Sequence, residues 1–342
     1  MLTRRQALRR GAGVAAAFTA GPLLAACAPA SAPAPSPTAT LRPPETTSIK
    51  LAAGACDSAI FAAEKYLREE GFTDVQITDM ATLAGITASS VHIGNTFPPQ
   101  IFGAVQNGPK VVALGGLHPG CVEIWAQPGI DSVKDLKGRN ITVTAKTLAN
   151  LAYSYLALVL KQAGVDSKDV NWVVQADANP TQLYLDGKND AVFVATTGAA
   201  ALKKNPANKG KIIHSQVMDE PYKSTNCCFV VASEQWYQAN PIAAKRAMRA
   251  IYRTADALPV DRNDAAKAAT DNGLFGGAPA LANVREAANM VPLEWRTYDL
   301  EKAIRFYAPL MRDAGVLTTS DAELIKAVDI RIYKELSAEL KK

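Results

Sequence analysis

Histidine and cysteine are scarce in this 342-residue chain, with three of the first and five of the second. His92, His118 and His214 stand far apart, and no CxxC or Cys/His pair at zinc spacing occurs, so no metal site is expected. No GxSxG marks a nucleophile. Neither GxGxxG nor GxxxxGK[ST] is present, which leaves nucleotide cofactors without support, and we expect no cofactor. The chain also lacks a Lys/Arg run, the feature on which phosphate neutralisation would rest, so a nucleic-acid partner is excluded. The uncharged, Ala-rich stretch Gly11 to Ala26 is too short to span a bilayer comfortably.

What is present begins with a targeting segment. Arg4, Arg5, Arg9 and Arg10 form a basic region ahead of that Ala-rich stretch, which ends in Leu24-Ala25-Ala26-Cys27. The last four residues resemble the lipobox of bacterial lipoproteins, which implies a lipid on Cys27 and a body held to a membrane by acyl chains. The arginine pair resembles a Tat signal, with Ala7 where that motif usually carries Phe. Removing residues 1–26 lowers the net charge from +5 by four, to a nearly neutral +1. Residues 28–48 are rich in Ala, Pro, Ser and Thr and read as an extended tether. Roughly 290 residues follow, a length that suits two domains. At 48% hydrophobic residues they can build real cores.

From Ile49 onward strand-like and helix-like segments alternate. Strands are expected at 49–53, 75–77, 90–93, 110–114, 121–127, 140–144, 170–175, 190–194, 211–214 and 226–232. Helices are expected to open at Asp57 or Ser58, at Thr96 or Phe97, at Thr147 running from Leu148 to Ala163, at Asn179-Pro180, at Thr196-Thr197 and at Asn240-Pro241. Repeated β-α units imply mostly parallel sheets flanked by helices. The late return of one strand suggests a discontinuous lobe, 49–138 with 224–342, and a second lobe, 139–223.

Gly129-Ile130-Asp131-Ser132-Val133-Lys134-Asp135-Leu136-Lys137-Gly138-Arg139 resembles the crossover of nitrate/sulfonate/taurine-type solute-binding proteins of ABC importers. They are a branch of the thiamine-pyrimidine-precursor superfamily. The likeness continues through Gly116 to Trp125, Asn171-Trp172-Val173, Leu185 to Ala191, Asn226-Cys227-Cys228-Phe229 and Ile304 to Tyr307. It implies an α/β, two-lobed periplasmic-binding-protein fold of type II, with a ligand cleft between the lobes. It implies a binding protein and not an enzyme: an exported, membrane-anchored monomer facing the periplasm or extracellular side, which hands a small-molecule solute to a permease and ATPase. A pyrimidine-precursor synthase, whose Cys-rich patch Asn226-Cys227-Cys228-Phe229 resembles in part, and a ligand-sensing module for a membrane receptor are the alternatives.

In such a fold the site lies at strand C-termini and helix N-termini, where backbone N–H groups are unpaired. Cys56, Asp57 and Ser58 follow the first strand, and Asp57 either caps a helix or also meets a ligand donor. Asn95, Thr96 and Phe97 follow another strand, with Phe97 placed to stack on a ring. Lys146, Thr147 and Asn150 follow the first strand of the second lobe, and Thr196 and Thr197 a later one. His118 flanks the crossover, as does Glu123, and Asn226 opens the returning segment. Asp57 and Cys56 beside a single lysine disfavour a highly charged anion and permit a neutral or nitrogen-containing ring. Alternation along the returning strand is expected to send Cys227 and Cys228 to opposite faces, and the thiols other than Cys27 are expected to be free and buried near the cleft.

Overall fold

The computed structural model describes residues 42–340 except Asn226 and Tyr298. The signal segment, Cys27, the tether up to residue 41 and Asn226 therefore lie outside the described residues. Ten strands are present among those described: β1 Ser48–Ala52, β2 Asp74–Thr78, β3 Ile93–Thr96, β4 Val111–His118, β5 Val122–Ala126, β6 Asn140–Val143, β7 Asn171–Val174, β8 Ala191–Ala195, β9 Lys211–Ser215 and β10 Cys228–Ser233. They form a five-stranded sheet of order β2-β1-β3-β10-β4, a three-stranded sheet β8-β5-β9 and a pair β6-β7.

Strand direction follows the chain path. β1, β2 and β3 pair in parallel, joined by helical crossovers, as short β-α connections require. β10 enters the first sheet antiparallel between β3 and β4. β5 likewise runs against both β8 and β9. The first sheet is thus parallel over β2-β1-β3 and antiparallel around β10, and the three-stranded sheet, against the mostly parallel expectation, pairs only antiparallel around β5; β10 and β5 each arrive from the other sheet.

The passage between sheets falls at 119–121, ahead of the Gly138 expected from the sequence. β4 keeps its pairing with β10 up to His118, and β5 already pairs with β8 from Val122. Gly138 instead sits at φ 75° between the Ser132–Asp135 capping box and β6, a backbone that suits glycine.

β4 reads VVALGGLH and is buried along its whole length, as a strand covered on both faces must be. It ends the pairing order of its sheet, yet its outer edge is not bare. Ala113 bonds to Ala327 and Asp329 through the backbone, which covers an otherwise open edge. A Cβ at Gly115 would overlap the Tyr252 hydroxyl. That hydroxyl donates to the Gly116 carbonyl at 3.3 Å, and the Tyr252 ring stacks on Trp295 at 3.9 Å.

The two faces of β10 feed two cores. Val230 and Ala232 pack with Ile49, Leu51 and helix Pro241–Ala257, while Phe229 and Val231 join a second cluster. The second cluster spans both sheets, holding Ala52 and Phe97 together with Val122, Ile124, Ile141 and Tyr155. Among the described residues no helix is long and apolar enough to cross a membrane.

Three local expectations are corrected. β3 occupies 93–96 and not 90–93, because Ser90 and Val91 are spent closing the turn onto the Gly85 carbonyl. Thr147 does not cap a helix beginning at Leu148. The helix runs Leu151–Gln162, and Asn150 caps it, accepting from Tyr153 N–H and donating to Thr144 Oγ1 at 2.6 Å. Cys227 and Cys228 do not face opposite sides: Cys227 lies ahead of β10, and the register shifts between Cys228 and Phe229. Both cysteines join the core cluster that spans the sheets.

Candidate functional site

The C-terminal ends of β3 and β8, the turns after β1 and β2, and the starts of β5 and β10 converge on a pocket of about 240 Å³. Cys56, Asn95, Thr96, Phe97 and Thr196 line it, as do Gln100, Cys121, Cys227, Cys228 and, from 79–83, Asp79 to Leu83. Among the described residues no lysine or arginine lines it. An anion would meet no side-chain cation there, only amides, hydroxyls, thiols and the Asp79 carboxylate. The arrangement suits a small neutral solute with apolar surface and a few hydrogen-bonding atoms.

Phe97 forms one wall. It is the N-cap residue of helix Pro98–Asn107, and its ring lies 5.3 Å from that of Tyr155 and 6.1 Å from that of Tyr307. Thr96 directs its hydroxyl to Gln100 Oε1 at 2.9 Å. Thr196 opens helix Thr196–Lys204 at φ 48°, and its N–H donates to the Cys121 carbonyl at 3.1 Å. A β-branched residue in the left-handed region is strained, and that strain sits on the pocket wall.

Behind the wall lies a buried polar cluster. Asp57 and His118 are wholly buried, with Asp57 Oδ1 2.9 Å from His118 Nε2. Asp57 makes no cap bond to its helix; its other oxygen accepts from Gly54 N–H at 2.8 Å. Burial raises the Asp57 carboxyl above its usual range despite the histidine. For His118, burial pulls downward but the carboxylate outweighs it and the imidazole is raised. Its Nδ1 contacts the Pro119 carbonyl. Ser58 is wholly buried, and its hydroxyl has no hydrogen-bond partner among the described residues.

The four described cysteines are free and buried around this cluster. Cys56 Sγ and Cys121 Sγ are 3.5 Å apart. Hydrogen bonds from Cys228 and Cys56 hold the Cys121 thiol well below its ordinary range and push the two donors up. Burial lifts Cys227 to about 11, and it contacts Gln216 Oε1 at 3.1 Å.

The remaining residues singled out from sequence lie elsewhere. Lys146 is exposed, its ammonium 5.9 Å from the centre of the Tyr153 ring. Thr147 lines a separate depression of about 620 Å³ against helix Pro98–Asn107. Asn150 is spent as a cap, and Thr197 lines neither of these pockets. Glu123 is satisfied structurally, held by Lys203 at 2.6 Å and the Trp125 indole at 2.9 Å. Sequence reading missed Gln100, which the cap-then-Pro signal at Phe97-Pro98 would place one turn in. It also missed the 79–83 segment, for which no local signal exists.

The profile of the family described as NMT1/THI5 like matches residues 58–262, and the chain belongs to that family. Among curated proteins none matches the chain. Similar solved structures include the nitrate-binding protein NrtA of Synechocystis PCC 6803, at 13% identity and TM-score 0.69, covering 88% of this chain and 90% of that one. The alkanesulfonate-binding protein SsuA of Xanthomonas axonopodis pv. citri, bound to MOPS, is similar at 18% identity and TM-score 0.64, covering 84% and 99%. The desulfurization enzyme DSZB is similar at 14% identity and TM-score 0.52, covering 86% and 100%. These likenesses establish a two-lobed α/β periplasmic-binding-protein fold.

Proposed function

We propose that this protein is the solute-binding component of an ABC importer, exported and lipid-anchored through Cys27, which captures a small uncharged organic solute. The lobes would comprise 49–118 with 228–340, and 122–215. The solute would lie between Asn95, Thr96 and Phe97 on one side and Thr196 on the other. It would be delivered by a monomer to a membrane permease and its ATPase. The observation that carries the reading is a small pocket at converging strand ends, bordered by residues of both sheets and without a lysine or arginine among its described lining. Family and fold support it, and so does the basic, apolar, Cys27-terminated leader.

The test is mass spectrometry of material copurifying with gently isolated protein, followed by thermal shift with the identified compound. A ligand at 100 times its Kd should stabilise the fold by about 2.7 kcal/mol. Saturable binding of a neutral solute supports the reading; turnover of the bound compound by the protein alone would overturn it in favour of catalysis.

A further inference from the structure

Four side chains of three chemistries, Cys56, Asp57, His118 and Cys228, bring one ligand atom each to within 4.8 Å of one another, and all four are buried. They come from the turn after β1, the end of β4 and the start of β10, so no local spacing motif announces them. We propose that this cluster is a binding site for a thiophilic divalent cation of the zinc type, held by two sulfurs, one imidazole nitrogen and one carboxylate oxygen.

The geometry fits such an ion. Zinc bonds of about 2.0–2.3 Å in a tetrahedron place ligand atoms about 3.3–3.8 Å apart. The observed separations run from 2.9 Å for the Asp57–His118 pair to no more than 4.8 Å, a spread that brackets this range. Two thiolates with one imidazole select zinc-like ions over magnesium or calcium, which take all-oxygen sets.

The surroundings of the two harder ligands carry the argument further. His118 Nδ1 faces the Pro119 carbonyl, which takes its N–H and leaves the Nε2 lone pair turned to the cluster. The Asp57 oxygen away from His118 accepts from Gly54 N–H, orienting the carboxylate inward. A metal-binding histidine with its second N–H on a carbonyl, and a ligating carboxylate held by its own hydrogen bond, are the outer partners such sites use. Two buried acceptors facing each other need a cation between them, a proton or a metal. Cys56 and Cys228 add donors that a proton-sharing pair would not require.

Four protein ligands close the coordination sphere, so the ion would act structurally. It would fasten three segments of the first sheet together beneath the pocket, since Cys56 and Cys228 also line that pocket. The inference does not depend on which solute the pocket takes.

Cobalt(II) is the probe, titrated into the full chain under anaerobic, reducing conditions. The expected result is one cobalt per chain, with thiolate-to-metal charge transfer and intense tetrahedral visible bands, both abolished by stoichiometric zinc. Cys56→Ser and Cys228→Ser should each weaken binding by at least about 100-fold, while Cys227→Ser, outside the ligand set, should keep the spectrum. Should a ligand variant fail to fold, X-ray absorption on the parent decides the matter, with two sulfur and two nitrogen or oxygen neighbours expected. Absence of tetrahedral bands, a sulfur-free coordination shell, or binding unchanged in both serine variants would overturn the proposal. None of these outcomes bears on solute binding, which the thermal-shift assay reads separately.

Discussion

Acidification offers a sharp test of the buried aromatic layer behind the pocket. His214 Nε2 accepts from the Tyr155 hydroxyl at 2.8 Å, and His214 Nδ1 lies 3.2 Å from Asp219. Burial pushes this imidazole down to about 4, the nearby Asp219 carboxylate opposing only in part. The folded protein therefore holds His214 neutral where an unfolded chain, with an ordinary value near 6.5, takes up a proton. Stability from this residue is fully present above pH 6.5 and is lost as pH falls toward 4. By linkage the loss is about 2 kcal/mol at pH 5, approaching about 3 kcal/mol when both states are protonated. Other groups titrate too, and His118 pulls in the opposite sense. The quantity to read is therefore the difference between parent and His214→Gln, a neutral side chain able to accept from Tyr155 and donate to Asp219. Urea unfolding of both proteins at pH 7.5, 6 and 5 should show the parent losing about 2 kcal/mol more than the variant. Parallel pH profiles would refute the claim that a desolvated neutral imidazole is built into this layer.

Asn150→Ala should cost about 1 kcal/mol of stability by removing the cap on Leu151–Gln162, whereas Thr147→Ala should leave the melting temperature unchanged; chemical denaturation of both settles which residue caps. Phe97→Ala should weaken solute binding by about 0.5–1.5 kcal/mol beyond the lost contact area if a ring stacks there, read by calorimetric titration with the copurified compound. Thiol counting on denatured, unreduced mature protein should return four reactive groups, Cys56, Cys121, Cys227 and Cys228; two would establish a bridge, for which Cys56 and Cys121, 3.5 Å apart, are placed. Cys27→Ser should release the protein from membranes or leave its leader uncleaved, and membrane retention with correct processing would sink the lipid anchor.

Much of this molecule was legible from sequence because the signals are local. The β-α alternation needs only period and length, the Asn179-Pro180 helix start needs only its own cap and ring, and Asn179 does accept from Gln182 N–H. The strand positions of Asn140–Val143 and Ala191–Ala195 followed in the same way. Where neighbours compete for the same role, locality fails. Thr147 and Asn150 are both good caps, and the tight turn before the helix chose the second. Alternation at Cys227 and Cys228 broke because the strand begins between them and then shifts register. The site itself depended wholly on sheet order. Cys56 and His118 stand 62 positions apart in sequence and Cys228 a further 110. They meet because β10 inserts between β3 and β4, which no periodicity records. Composition determined that the chain could fold and what chemistry it could hold; only the non-local pairing of strands decided which of its few cysteines and histidines share one buried volume.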